Sequence, residues 1–206
     1  MITKQQLRIF GQFLRNVFAE YGYKELKTLS KEKSSDTFHS AIQKFKSEKI
    51  INEKSIGKSK LYSVNLSNQL SYSYLSIAAI EQLTAEPARA LRELMQRIDQ
   101  YTLFYSVIVF GSYADKTFTK ESDLDVAILI PNKLKEASIK AAINTAARRS
   151  LLELDCHVIT QEEFLEMLKV DYENLGKQIA RKNLPVCNNT IFYKIIEEGI
   201  KNGFKY

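Results

Sequence analysis

Two apolar runs, Val107-Ile108-Val109-Phe110 and Val126-Ala127-Ile128-Leu129-Ile130, do most to limit what this chain can fold into. Each is rich in β-branched residues and bounded by turn formers, the pattern of a buried strand. Gly111-Ser112 closes the first run, and Asp123 and Asp125 stand at the head of the second. Residues i and i+2 of a strand point to one face. Asp123 and Asp125 therefore project together at the start of a core strand, where bare charge is costly. A divalent cation makes that arrangement favourable, and carboxylates suit magnesium. Glycine lets a phosphate approach the backbone, and Ser112 offers a hydroxyl and an N–H. These parts add up to a site for a nucleoside triphosphate with metal.

The motif GSYADKTFTKESDLD, which is Gly-Ser, ten residues, then Asp-x-Asp, resembles the signature of the DNA polymerase β-like nucleotidyltransferases. It is most similar to their minimal members, including those that act as antitoxins, and the likeness runs from about Pro87 to the C-terminus. Such members carry a third carboxylate on a later strand, a place taken here by Asp155 in Glu153-Leu154-Asp155-Cys156-His157-Val158-Ile159. Where they commonly have Arg-Gly, this chain has Asp115-Lys116. The resemblance implies transfer of a nucleotidyl group, AMP being the expected one, to an acceptor hydroxyl. Asp123, Asp125 and Asp155 would be catalytic and would hold two magnesium ions. Gly111 and Ser112 would bind the nucleotide. A protein acceptor such as a toxin is implied as well. Asp155 and His157 share a strand face; core packing is the expected role for His157, with approach to the nucleotide as the alternative.

Charge divides the chain. Residues 1–70 hold 13 Lys or Arg against 6 Asp or Glu, net +7, whereas the remainder holds 17 against 18, net −1. A basic first third suggests a polyanion-binding module. It opens with an amphipathic helix, Leu7, Phe10, Leu14, Val17, Phe18 and Tyr21 falling at helical spacing. A short helix near Lys24 to Leu29 follows, then a turn over residues 30–34. Ser34 or Ser35 caps a third helix with the apolar stripe Phe38, Ile42 and Phe45. Ile50-Ile51, a basic tip over 54–60 and the alternating run Leu61 to Leu66 suggest a hairpin. Three helices and a hairpin with a basic tip look like a winged helix-turn-helix. Its recognition helix, residues 35–48, would present Thr37, His39, Ser40, Gln43 and Lys44 to the major groove of double-stranded DNA, with Lys54, Lys58 and Lys60 on the backbone or minor groove. His39 reads equally as an ordinary exposed helix residue.

The expected fold is thus α/β of the α+β kind. Residues 1–70 would be the winged helix-turn-helix domain and 71–86 a connecting helix after a polar linker, Ser67 to Ser71. Residues 87–206 would be a nucleotidyltransferase domain, a small mixed sheet flanked by helices. A long helix is expected over Lys133 to Leu152, and Thr160-Gln161-Glu162-Glu163 reads as a capping box. Cys156 and Cys187 are too few for a disulfide framework, and Cys156 should pack as a small apolar residue. No apolar run reaches the length of a membrane span, and the first residues lack a signal-peptide pattern, so a cytoplasmic location without membrane is expected. The apolar face from Leu7 to Tyr21 is a candidate homodimer surface. Two functions fit these features. One is a nucleotidyltransferase targeted by its winged helix. The other is a DNA-binding transcriptional regulator whose nucleotidyltransferase-like domain senses nucleotide or mediates assembly without catalysis.

Overall fold

The computed structural model describes residues 2–206, and the chain divides into two compact units, residues 1–79 and 80–206. The first begins with α1 (Lys4–Phe10), capped by Thr3 and Gln6 in a reciprocal capping box. The expected single helix to Tyr21 does not form. A 3-10 turn covers Gly11–Arg15, and Asn16 then ends it, its side chain accepting the Phe18 N–H at 3.0 Å. Such Asx turns compete directly with helix. Tyr21 instead enters β1 (Tyr21–Gly22). Leu7, Phe10, Leu14, Val17 and Tyr21 are all buried, so the face read as a dimer surface is consumed within the chain's own core.

Next come α2 (Tyr23–Leu29) and α3 (Ser35–Ser47), whose N-cap is Ser34. Phe38, Ile42 and Phe45 are fully buried, with Phe45 edge-on to Phe10 at 5.4 Å. Each buried Phe or Ile contributes roughly 1.5–3 kcal/mol. The strands β2 (Ile51–Ile56) and β3 (Ser59–Val64) form a hairpin closed at Gly57-Lys58, with Gly57 at φ 57°. They run into the segment read as a polar tip, because ladder pairing continues to Ile56 opposite Ser59. The sheet order is β1-β3-β2, all antiparallel. The polar stretch read as a linker is a clamp. Asn68 accepts from the Leu70 N–H and donates to the Glu48 and Lys49 carbonyls. The buried Ser71 hydroxyl lies 2.7 Å from the Asn65 carbonyl. Helix α4 (Gln69–Ile80) starts here and falls almost wholly within the first unit.

In the second unit, α5 (Ala85–Ile98) leads to β4 (Ser106–Val109), α6 (Gly111–Asp115) and β5 (Leu124–Ile130). The helix expected over residues 133–152 is shorter, α7 (Glu136–Ala147). Asn132 caps a 3-10 turn ahead of it, and Ser150 accepts the Leu152 N–H in a turn after it. Then come β6 (Leu154–Thr160), α8 (Gln161–Lys169), α9 (Leu175–Arg181), β7 (Leu184–Cys187) and α10 (Asn189–Lys201). The Thr160–Glu163 capping box is present. Strand β7 has no expectation behind it: it is four residues long and contains Pro185, tolerated because β7 is an edge strand. The sheet order is β6-β5-β4-β7, with only the β5–β6 pair parallel, a mixed sheet of an α+β fold. These directions bring the end of β4 and the starts of β5 and β6 to one edge of the sheet. The start of β4 and the ends of β5, β6 and β7 meet at the opposite edge. Among the described residues no helix is long and apolar enough to cross a membrane.

Candidate active site

The first edge gathers the chemistry. Asp123 lies one residue ahead of β5, after a tight turn in which the Ser122 hydroxyl accepts the Thr119 N–H at 2.9 Å. Asp125 is on the strand, and the parallel register sets Asp155 directly opposite it. One carboxylate oxygen from each of Asp123, Asp125 and Asp155 falls within 4.8 Å of the others. The Leu124 N–H donates to the Glu153 carbonyl at 2.8 Å, which seats the start of β5 against the approach to β6. Burial pushes the Asp125 carboxyl up, and the neighbouring Asp123 and Asp155 charges add to this; His157 and the Ser112 N–H act in the opposite sense. Like charges held this close favour a bound cation. The donor set, three hard carboxylate oxygens, fits magnesium.

Gly111-Ser112 and Asp-x-Asp prove to be one structural unit. The Phe110 N–H donates to the Asp125 carbonyl at 3.1 Å, and the Ser112 N–H bonds the Asp125 carboxylate. Gly111 has φ 62°, and a Cβ there would lie 2.0 Å from Asp125 Oδ2. Glycine is needed twice over, for the left-handed backbone and for the room it leaves the carboxylate. Helix α6 ends at Lys116, which adopts φ 62° and donates its N–H to the Ser112 carbonyl. The loop therefore keeps a left-handed C-cap, a conformation glycine adopts without steric cost, at about 1 kcal/mol with lysine. Asp115, in the position of the resemblance's arginine, pairs with Lys182 at 2.7 Å. Tyr113 is buried and stacks on Phe118 at 4.4 Å.

His157 is not a core residue. Its side chain is 36% exposed, Nε2 is 3.3 Å from Asp155 Oδ2, and its ring lies 5.8 Å from Phe110. It lies in the first part of β6, where burial is incomplete; only Ile159 and Thr160 at the end of the strand are buried. Cys156, half-buried beside Asp155, has its thiol pushed up to about 12 by burial and then by that charge, so it is not a reactive thiolate.

The residues read as DNA contacts lie in the first unit. Ser40, Gln43 and His39 are exposed on α3, with Gln43 Nε2 3.4 Å from His39 Nε2, and Thr37 is partly buried. The lysines are less bare than their number suggests. Lys44 pairs with Glu48 at 2.9 Å, Lys54 with Glu20 at 3.4 Å and Lys60 with Glu53 at 3.0 Å. Lys46 also grips Glu53, at 2.9 Å, and the Lys46 and Lys60 bonds hold that carboxyl down at about 2. Lys58, at the hairpin tip, is exposed.

Sequence reasoning missed the Ser112 grip on Asp125, the Lys182–Asp115 pair and the left-handed Lys116. The first had a signal, since a glycine beside a charged strand start invites a question about close approach. Lys182 had none, being 67 residues from its partner.

Residues 89–187, all within the second unit, match the family model described as nucleotidyltransferase domain. The match spans α5 through β7 and contains the whole carboxylate cluster. No curated protein and no solved structure was found to match the chain.

Proposed function

We propose that the protein is a magnesium-dependent nucleotidyltransferase that moves a nucleoside monophosphate, AMP being the expected one, from a nucleoside triphosphate to a hydroxyl on a protein acceptor. The observation that carries this reading is the convergence of Asp123, Asp125 and Asp155 beside the Gly111-Ser112 turn, within a nucleotidyltransferase domain. The new bond joins the acceptor oxygen to the α-phosphorus. The bond from that phosphorus to the bridging oxygen breaks, and pyrophosphate leaves. Bound at the carboxylates, two magnesium ions supply charge neutralisation for the triphosphate and lower the pKa of the attacking hydroxyl. Asp123 and Asp125 would hold them, with the Ser112 N–H keeping Asp125 in its rotamer. Asp155, the most exposed of the three, would complete one metal site and take the acceptor's proton. His157 orients Asp155. Gly111 and Ser112 border the β- and γ-phosphates.

The first unit is, on this reading, a winged helix-turn-helix that binds double-stranded DNA. The succession α1, β1, α2, α3, β2, β3 and the net +7 of residues 1–70 support it. Thr37, Ser40, Gln43 and Lys44 would face the major groove, and Lys54, Lys58 and Lys60 the phosphates. Of the glutamates on these lysines, Glu20 is a weak competitor, since an exposed ion pair is worth roughly 0–1 kcal/mol, whereas the partly buried Glu48 and Glu53 compete more firmly for Lys44 and Lys60.

The test is transfer of label from each α-labelled nucleoside triphosphate, with magnesium and cell extract. Label should pass from one nucleotide to a protein band, and the Asp125→Asn chain should give none. If neither chain transfers label while both bind duplex DNA, the regulator reading replaces the enzyme. Binding of the full chain to duplex DNA should weaken steeply with salt, and replacing Lys54, Lys58 and Lys60 by Ala should flatten that slope by about 2–3. An unchanged slope rejects the wing contacts.

A further inference from the structure

The edge of the second unit's sheet opposite the carboxylates is apolar and open. Leu103 and Phe104 precede β4, and Leu134 follows β5. Tyr172 precedes α9, and Ile191 opens α10. Their exposures are 68%, 77%, 86%, 69% and 43% in that order, and nothing in catalysis uses them. Two cavities meet here at Pro131: one of about 290 Å³ beside Phe104 and Ile191, the other of about 800 Å³ lined by Met167, Val170 and Leu175. Lone exposed apolar residues are ordinary, but several gathered at one end of a sheet around two cavities mark an interaction site.

Area and shape identify the occupant. Five such side chains offer on the order of 700 Å², close to the ~800 Å² that each partner gives to a stable interface. The patch holds both a projection, Leu103-Phe104, and a hollow, the larger cavity. Its rim carries both charge signs, Lys133, paired with Glu163 at 2.7 Å, together with Glu162 and Glu166. A two-fold pairing needs one surface with both halves of the fit.

We propose that this edge is a homodimer interface in which Phe104 of each copy enters the larger cavity of the other. The arrangement leaves the Asp123–Asp125–Asp155 edge of both copies open to substrate. It does not depend on the catalytic reading.

Sedimentation velocity of the full chain tests it. The mass should rise from 23.7 kDa toward twice that value as concentration increases from about 1 to about 100 µM. Phe104→Glu and Leu134→Glu should each weaken the association by at least ~100-fold, with unchanged circular dichroism, because a charge would be buried at the centre of the contact. Leu151→Glu, equally exposed but on the approach to β6 at the carboxylate edge, should dimerise as the parent does. A chain that stays near 23.7 kDa throughout overturns the proposal and leaves the patch to a different protein. A dimer that survives both Phe104→Glu and Leu134→Glu, or fails in Leu151→Glu, places the interface elsewhere and overturns it equally.

Discussion

Asp125 in the second unit and Glu53 in the first are both partly buried strand carboxylates, and their surroundings are opposite. Glu53 is gripped by Lys46 and Lys60, and those bonds hold its carboxyl down at about 2. Asp125 is desolvated beside two further aspartates and is pushed up. The first carboxylate is satisfied by its own chain. The second is left beside two like charges, which marks it as a candidate ligand-binding group. A count of acidic residues cannot separate the two; the identity of the nearest charges does.

Replacing Asp125 by Asn breaks this contrast most severely. On the proposed reading, labelled nucleotidyl transfer should fall by at least ~10³-fold, since that reading gives this carboxylate the metal at the reacting centre. Magnesium should raise the melting temperature of the parent chain and leave that of the variant unmoved. Retained transfer would place the site elsewhere.

Gly111→Ala comes next, because a Cβ cannot fit beside Asp125 Oδ2 and φ 62° is strained for alanine. Urea unfolding should show a loss of about 2–4 kcal/mol. A loss below ~1 kcal/mol would mean that the turn does not press on Asp125.

Lys116→Gly should act in the other direction, adding about 0.5–1 kcal/mol by relieving a left-handed lysine at the end of α6. Denaturation midpoints of the two chains decide it, and a destabilised variant would show that the lysine side chain contributes something the backbone does not reveal.

The smallest effect concerns pH and sharpens the comparison itself. The Glu53 carboxyl lies below its ordinary 4.5, so its pairing stabilises fully above about 4.5 and is lost as pH falls through about 2. Solvent screening keeps this under ~1 kcal/mol. Asp125 has the opposite sign. Its carboxyl lies above its ordinary 3.8, so ionisation lowers stability as pH rises through the raised value. Compared with the parent in metal-free buffer, Glu53→Gln should lose stability at pH 7 and lose progressively less as pH falls toward 2, whereas Asp125→Asn should gain at pH 7. Shifts of the same sign in both variants would dissolve the distinction.

Local chemistry made much of this legible in advance. Strand period put Asp123 and Asp125 together, the capping residues Ser34 and Thr160 marked helix starts, and the apolar stripe of α3 announced its buried face. Each depends on residues only a few positions apart. Other features misled because a local pattern has more than one outcome. The run Leu7 to Tyr21 keeps helical spacing, yet Asn16 turns the chain and β1 takes Tyr21 into a sheet. The Ser67 to Ser71 stretch has linker composition, yet its polar groups satisfy carbonyls of the first unit's core.

What the sequence alone determined was the inventory of the candidate site: two aspartates at strand spacing and a Gly-Ser turn, with the third aspartate implied by the family resemblance. Tertiary structure decided how they meet. Parallel pairing of β5 with β6 sets Asp155 opposite Asp125, and the turn after β4 brings Gly111 so near that only a hydrogen atom fits between it and the carboxylate. It also left His157 in the open and joined Lys182 to Asp115. The physical reason is range. Propensity and periodicity act over a turn of helix or a few strand residues, whereas charge proximity and steric exclusion act between segments that only the folded chain brings together.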